Sequence, residues 1–237
     1  MAEPIIQLKR KSLHGELASR LEELIVSAHW GVGQTLPSER DMAEQFGLSR
    51  SVVRDAMRIL AAKGLVNIRQ GVGAVVTQDG RLAFVELLDL LLRRGNYTHQ
   101  QLLHAREFLE ASAAAATALN ATVADRRRIE DSLERYKEAI VTRQHPDQVD
   151  IVHAEFHTSL VQATGNPVLM DLISPMVEIS TEVTRPLIGH RDQWDDYLYH
   201  QAIHDAIARG DAEGSRLAVH RHMELSSAHL MRSGLLS

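Results

Sequence analysis

With 237 residues, 44% hydrophobic and 24% charged, the chain has the make-up of a folded protein of one large or two modest domains, and no run approaches the ~20 apolar residues that span a bilayer. The absence of cysteine removes disulfides, zinc–thiolate sites, iron–sulfur clusters and thiol catalysis together, which fits a cytoplasmic protein. The net charge of −5 argues mildly against a nucleic-acid partner until it is divided: residues 1–77 hold ten Lys/Arg against eight Asp/Glu (+2), the remainder sixteen against twenty-three (−7). A small basic-leaning module joined to a larger acidic one is expected.

The first residues, MAEPIIQLKRKSLHG, place no apolar stretch behind their basic side chains, so no secretory leader is expected. Ser12 can cap a first helix whose stripe is Leu17, Leu21, Leu24, Ile25 and Ala28, with Trp30, Gly31 and Gly33 ending it. Ser38, with Asp41 three residues on, opens a short second helix buried through Ala43 and Phe46. After a turn at Gly47, Ser49 caps a third helix to Lys63, with Val53, Ala56, Met57 and Leu60 facing inward and Gly64 as its stop. The period then changes to two. Val66 and Ile68 alternate with Asn67 and Arg69, and the turn Gln70-Gly71-Val72-Gly73 leads into Ala74-Val75-Val76-Thr77, a β-hairpin. Past Thr77 seven helices are predicted, at 81–94, 98–120, 122–142, 147–164, 167–188, 192–209 and 211–232, separated by Gly, Asn and Pro punctuation. The fold class is therefore mainly α: a winged helix-turn-helix in residues 1–77 and an all-helical domain in 78–237.

The third helix carries the first functional signal. Its buried stripe leaves Arg50, Arg54 and Arg58 as an i, i+4, i+8 row on the opposite face. Arginines at the start of a recognition helix can donate in bidentate fashion to guanine, so Arg50 and Arg54 are candidates for base edges. Arg58 would meet phosphate or pair with Asp55, and Ser49 and Ser51 can offer hydroxyls or helix-start N–H groups to phosphate. A plain solvated face is the competing reading of the same row.

Residues 33–76 closely resemble the GntR family of bacterial transcription regulators. The likeness is carried by L-P-S-E-R, L-S-R-S-V-V-R-D-A and R-Q-G-V-G in order and spacing. The resemblance implies DNA contact by Arg40, Ser49, Arg50, Ser51, Arg54, Gln70 and Gly71. Residues 82–232 resemble the FCD-type effector domain of the FadR-like branch, through A-R-E-F-L-E, A-E-F-H-T-S-L-V-Q-A-T-G-N-P and Y-H-Q-A-I-H-D-A-I-A-R-G-D with H-R-H-M. Many such domains bind a divalent metal through D-x-x-x-H on one helix and single histidines on two later ones.

The residues bear on that expectation directly, because nine of the thirteen histidines lie from His145 onward. His153 and His157 are one helical turn apart, a spacing that lets two imidazoles grip one ion, and they share a stripe with Phe156 and Leu160. His200 shares a face with Ile203 and Ile207, and His222 with Ala218 and Leu225. Core histidines without metal are the competing reading, and His204 is a rival ligand to His222. His153 stands where the resemblance expects aspartate. Asp150 cannot replace it, being ~10.5 Å from His157 along the axis. Four neutral imidazoles would leave the ion's charge uncompensated and favour an anionic further ligand, or His153 stands off and leaves that position open. Imidazoles suit zinc, with nickel as an alternative. Arg106 is the candidate effector clamp, placed near the metal by the resemblance; a surface pair with Glu110 is the equal alternative.

These signals predict a transcription regulator, a repressor by preference, binding a palindromic double-stranded operator as a homodimer. A small carboxylate effector at the metal would change how the winged modules are held. A purely structural metal with a different effector is the first alternative. A metallohydrolase is remote: Glu155 lies ~200° around the helix from His153, so His153-Ala-Glu-Phe-His157 lacks a base in reach.

Overall fold

The computed structural model describes residues 12–77, 81–184 and 190–233. They fall into two compact units, divided between Ala83 and Phe84.

The first unit opens with α1 (Leu13–Val26), which buries Leu17, Ala18, Leu21 and Ile25. Ser12 occupies the N-cap, but its hydroxyl pairs with His14 Nε2 at 2.8 Å and caps no backbone N–H. The helix also stops earlier than its apolar period implies. Ala28, expected on the stripe, is exposed with φ 58°, and the N–H groups of Ala28 and His29 close on the carbonyls of Ile25 and Leu24. Ala28 thus does what Gly31 and Gly33 were expected to do.

Ser38 accepts from the Asp41 N–H at 3.2 Å and opens α2 (Glu39–Phe46). Its buried pair is Met42 and Ala43. Phe46, expected with them, is 37% exposed, because it is the last helical residue before Gly47 (φ 65°) turns the chain away. Ser49 then caps α3 (Arg50–Ala62), accepting from the Val52 N–H, and Val53, Ala56, Met57 and Leu60 point inward. β1 (Val66–Arg69) and β2 (Gly73–Val76) pair antiparallel, with Val66 opposite Val76 at the base and Arg69 opposite Gly73 at the tip. Thr35 bridges to Val75, and Leu36 donates to the Ala74 carbonyl, fastening the segment before α2 to the hairpin. Val66 and Val76 are buried while Ile68 is 54% exposed, so only the base of the hairpin joins the core. The first unit is a winged helix-turn-helix.

In the second unit the helices are α4 (Arg81–Arg93), α5 (His99–Asn120), α6 (Val123–Val141), α7 (Pro146–Gln162), α8 (Pro167–Thr184), α9 (His190–Ala208) and α10 (Ala212–Ser233). Of the stretch expected to continue α8, residues 185–188 lie outside the described residues. Capping boxes fix two starts: Thr98 with Gln101 for α5, and Thr122 with Asp125 for α6. Asn166 Oδ1 accepts from the Val168 N–H and begins α8. Central to the bundle is α5, packed against α7, α8, α9 and α10. Its buried Ala113, Ala114, Ala115 and Ala118 leave room for those helices to approach closely. Tyr136, Phe156, Leu160, Ile203 and Ile207 fill the core around it, each apolar side chain contributing about 1.5–3 kcal/mol by burial. Among the described residues, no helix is long and apolar enough to cross a membrane.

Candidate metal centre and nucleic-acid interface

The helical unit brings His153 and His157 of α7, His200 of α9 and His222 of α10 together. One ring nitrogen of each lies within 4.8 Å of those of the others. His157 and His200 are fully buried, His222 nearly so, and His153 is partly covered. The stripe that puts Phe156 and Leu160 in the core necessarily carries both α7 histidines inward.

Neighbouring groups fix which nitrogens carry protons. His157 Nδ1 donates to Glu110 Oε2 at 2.7 Å, and Glu110 Oε1 accepts from Arg106 Nε at 2.8 Å. Burial would raise the Glu110 carboxyl, but the charges of Arg106 and His157 and their hydrogen bonds outweigh it and hold it at about 2. It is therefore an anion at neutral pH and an acceptor only. His200 Nδ1 donates to the Asp196 backbone carbonyl at 2.7 Å. The two Nε2 atoms, of His157 and His200, face each other at 3.0 Å. Two nitrogens at that separation repel unless a cation or proton joins them. Burial also pushes His153 and His222 well below the usual imidazole value and His200 down to about 4, so these rings are neutral near pH 7. Converging imidazoles, oriented by carboxylate and carbonyl partners, are a donor set that suits a zinc-class ion.

The remaining two rings point at a residue the sequence reading missed. Asp196, 5% exposed, places Oδ2 at 3.6 Å from His153 Nε2 and 3.3 Å from His200 Nδ1, and Oδ1 at 3.4 Å from His222 Nδ1. Tyr136 donates its hydroxyl to Asp196 Oδ2 at 2.7 Å. A buried carboxylate thus stands beside the imidazole cluster, where none was named from the sequence. The usable signal was Asp196-Tyr-Leu-Tyr-His200, the D-x-x-x-H spacing, present on α9 instead of α7. His222 Nδ1 lies within ion-pair reach of Asp196 but makes no hydrogen bond. On its other side His153 Nδ1 lies 3.4 Å from Thr181 Oγ1. His204 stays outside the cluster, 3.1 Å from Asp205.

Arg106 does part of each thing expected of it. Its pair with Glu110 forms but is buried, at 4% and 2% side-chain exposure, instead of lying on the surface. Its Nη2 is also buried and has no hydrogen-bond partner among the described residues. Leaving a charged donor unpaired costs more than a neutral one, so this atom marks a place for an acceptor.

Stripped of metal, the protein should lose stability as the pH falls below about 6.5. The unfolded chain takes up the His200 proton near 6.5 and the folded one only near 4, so between these values the unfolded state holds more protons and acid favours it. His153 and His222, held low by burial, act in the same sense. Glu110 adds a further loss between its usual 4.5 and about 2. A melting temperature in chelator that stays constant from pH 7 to pH 4.5 would contradict the buried neutral imidazoles.

On the winged unit every candidate DNA residue is exposed: Arg40, Ser49, Arg50, Ser51, Arg54, Gln70 and Gly71. Arg54 Nε and Nη2 donate to Glu39 of α2 at 3.1–3.3 Å, which orients the guanidinium across the α2–α3 step. Arg58 pairs with Asp55 at 3.2 Å, one of its two expected partners. Arg40 lies 3.6 Å from Asp41. The hydroxyls of Ser49 and Ser51 are 2.9 Å apart. Gly71, at φ 79°, has open space where a Cβ would stand, so its backbone is bare at the hairpin turn.

Comparison with known proteins decides between a regulator and other uses of such a site. Residues 13–76 match the bacterial regulatory proteins of the gntR family, and residues 101–225 match the FCD domain. The chain belongs to the GntR family of transcription regulators.

This regulator is 31% identical to the Uxu operon regulator of Haemophilus influenzae, over 86% of its own length and 76% of the relative's. It is 29% identical to the HTH-type transcriptional repressor NanR of Enterobacter sp. (strain 638), over 93% and 86%. Its fold is that of Streptococcus agalactiae GntR, with a TM-score of 0.68, 24% identity, and coverage of 90% and 97%. The family and these relatives are transcription regulators, not enzymes. Glu155, between the two α7 histidines in sequence, pairs with Arg135 at 2.9 Å in an exposed position.

Proposed function

We propose that residues 1–77 of this regulator bind a palindromic operator and that residues 78–237 form its effector-binding and dimerisation domain, with repression as the default output in the cytoplasm. Support for the DNA role is the exposed set Arg40, Ser49, Arg50, Ser51, Arg54, Gln70 and Gly71 on the matched gntR segment. The relatives named for operon control and repression point the same way.

The helical domain, in this reading, holds a divalent ion, zinc or nickel, through His153, His157, His200 and His222. The convergence of the four imidazoles, with His157 Nε2 and His200 Nε2 3.0 Å apart, is the observation that carries it. When bound, the ion supplies a Lewis-acidic anchor for an anion. Arg106 supplies the second anchor through its unpaired Nη2, and a cation beside a guanidinium selects small carboxylates such as organic or sugar acids. Glu110 has two tasks: it holds His157 by one oxygen and Arg106 by the other, so metal and clamp are mechanically joined. A carboxylate that binds one operator-affinity state better than the other shifts the balance between them.

A purely structural ion is the second reading, favoured by the near-complete burial of His157, His200 and His222. A thermal-shift screen of organic and sugar acids separates the two. In the effector reading, at least one carboxylate raises the melting temperature of the metal-loaded protein, and the shift disappears in chelator and in Arg106→Gln that still retains metal. A carboxylate shift that survives both losses would overturn it; no shift with any acid, together with unfolding on chelation, would favour the structural ion.

A further inference from the structure

We propose that Asp196 is the carboxylate ligand of this metal centre, moved from α7 to α9; this rests on the metal reading above. A divalent ion held only by imidazoles keeps its full charge in a buried site, where an uncompensated charge is costly. Asp196 is itself buried, and among the described residues no lysine or arginine pairs with it. The imidazole nitrogens beside it are His153 Nε2 at 3.6 Å and His222 Nδ1 at 3.4 Å, while His200 faces it with Nδ1, whose proton goes to the Asp196 backbone carbonyl. A buried carboxylate at the edge of the imidazole cluster, beside His153 Nε2 and His222 Nδ1 and without a cationic side chain, is one that a metal ion drawn toward it would neutralise. The one side chain that hydrogen-bonds it among the described residues, Tyr136, donates to Oδ2 and leaves Oδ1 toward His222. That hydrogen bond is the support a metal-bound carboxylate ordinarily has. Helix α9 supplies Asp196 and His200 at the i, i+4 spacing, while α7 supplies His153 and His157 at the same spacing. The exchange keeps the count of carboxylates at one and adds an imidazole, which shifts the site's preference toward zinc, nickel or copper and away from magnesium or calcium.

The consequence is a site with reduced net charge, closed by its own carboxylate. The test is zinc affinity of the full chain, measured in competition with a chromophoric chelator, for the wild type, Asp196→Asn, His157→Ala and the exchange variant Asp196→Asn/His153→Asp. Asp196→Asn is expected to lose about 10–100-fold in affinity or more, and its cobalt(II) form to change its visible spectrum. The exchange variant, which restores the carboxylate to α7, should recover at least tenfold over Asp196→Asn. Wild-type affinity and an unchanged cobalt spectrum in Asp196→Asn, with His157→Ala impaired, would overturn the role of Asp196 and leave the metal centre standing. No zinc uptake by the wild type would overturn the metal reading itself, and this proposal with it. Should Asp196→Asn fail to fold, the exchange variant decides: zinc affinity within tenfold of wild type supports the relocated carboxylate, and a folded protein without affinity refutes it.

Discussion

Replacing Arg50 by alanine is expected to weaken operator binding by about 1–3 kcal/mol, roughly 5–150-fold, and to relax sequence preference at one base pair of each half-site. Arg50 starts α3 and is exposed, with no ion-pair partner among the described residues, so its whole donor fork is available to a base edge. Arg54→Ala should cost less than Arg50→Ala, since two of the Arg54 nitrogens are already engaged by Glu39 and must be shared with DNA. Arg58→Ala should cost least. Its guanidinium is committed to Asp55 in an exposed pair, and such pairs are worth about 0–1 kcal/mol. Fluorescence anisotropy at fixed salt, using DNA that the protein selects from a random pool and a scrambled control, checks the ranking. Equal losses on both duplexes for Arg50→Ala would mean phosphate contact and would contradict base readout.

The second large effect belongs to the helical unit. His157→Ala is expected to abolish metal uptake and to lower the melting temperature of the loaded protein by about 5–15 °C. A ligand present at 100–1,000 times its dissociation constant stabilises the folded state by about 2.7–4.1 kcal/mol, all of which is forfeited. The substitution also removes the donor that holds Glu110 Oε2 at 2.7 Å, leaving a buried carboxylate with Arg106 as its remaining partner. Chelator should therefore lower the wild-type melting temperature and leave that of His157→Ala unchanged. Wild-type and variant curves that respond alike to chelator would contradict the placement of the ion at His157.

Much of this architecture is legible in the sequence because local chemistry dictates it. Gly47 and the caps Ser49, Thr98 and Thr122 act over three or four residues, so helix starts can be read directly. The histidine cluster is legible for a related reason. Each ring sits on an apolar stripe, and stripes must face the core wherever their helices pack. What escaped reading depends on pairing across the bundle: Glu110 meets His157 across 47 residues, and Tyr136 meets Asp196 across 60. No local period announces either. Ala28 escaped because a left-handed alanine carries no residue signature, unlike glycine in the same place. Arg106 shows the limit of the i, i+4 rule: the spacing to Glu110 predicts the pair, but only the packing of α5 against four neighbours makes it a buried one.

The metal content of the untagged protein, purified without chelator and counted by plasma mass spectrometry beside His157→Ala, tests the central assignment most directly. The metal assignment predicts near-stoichiometric zinc or nickel in the wild type and its loss in the variant. A wild type that folds, binds its operator and carries no transition metal would return His153, His157, His200 and His222 to the duties of a hydrogen-bonded core.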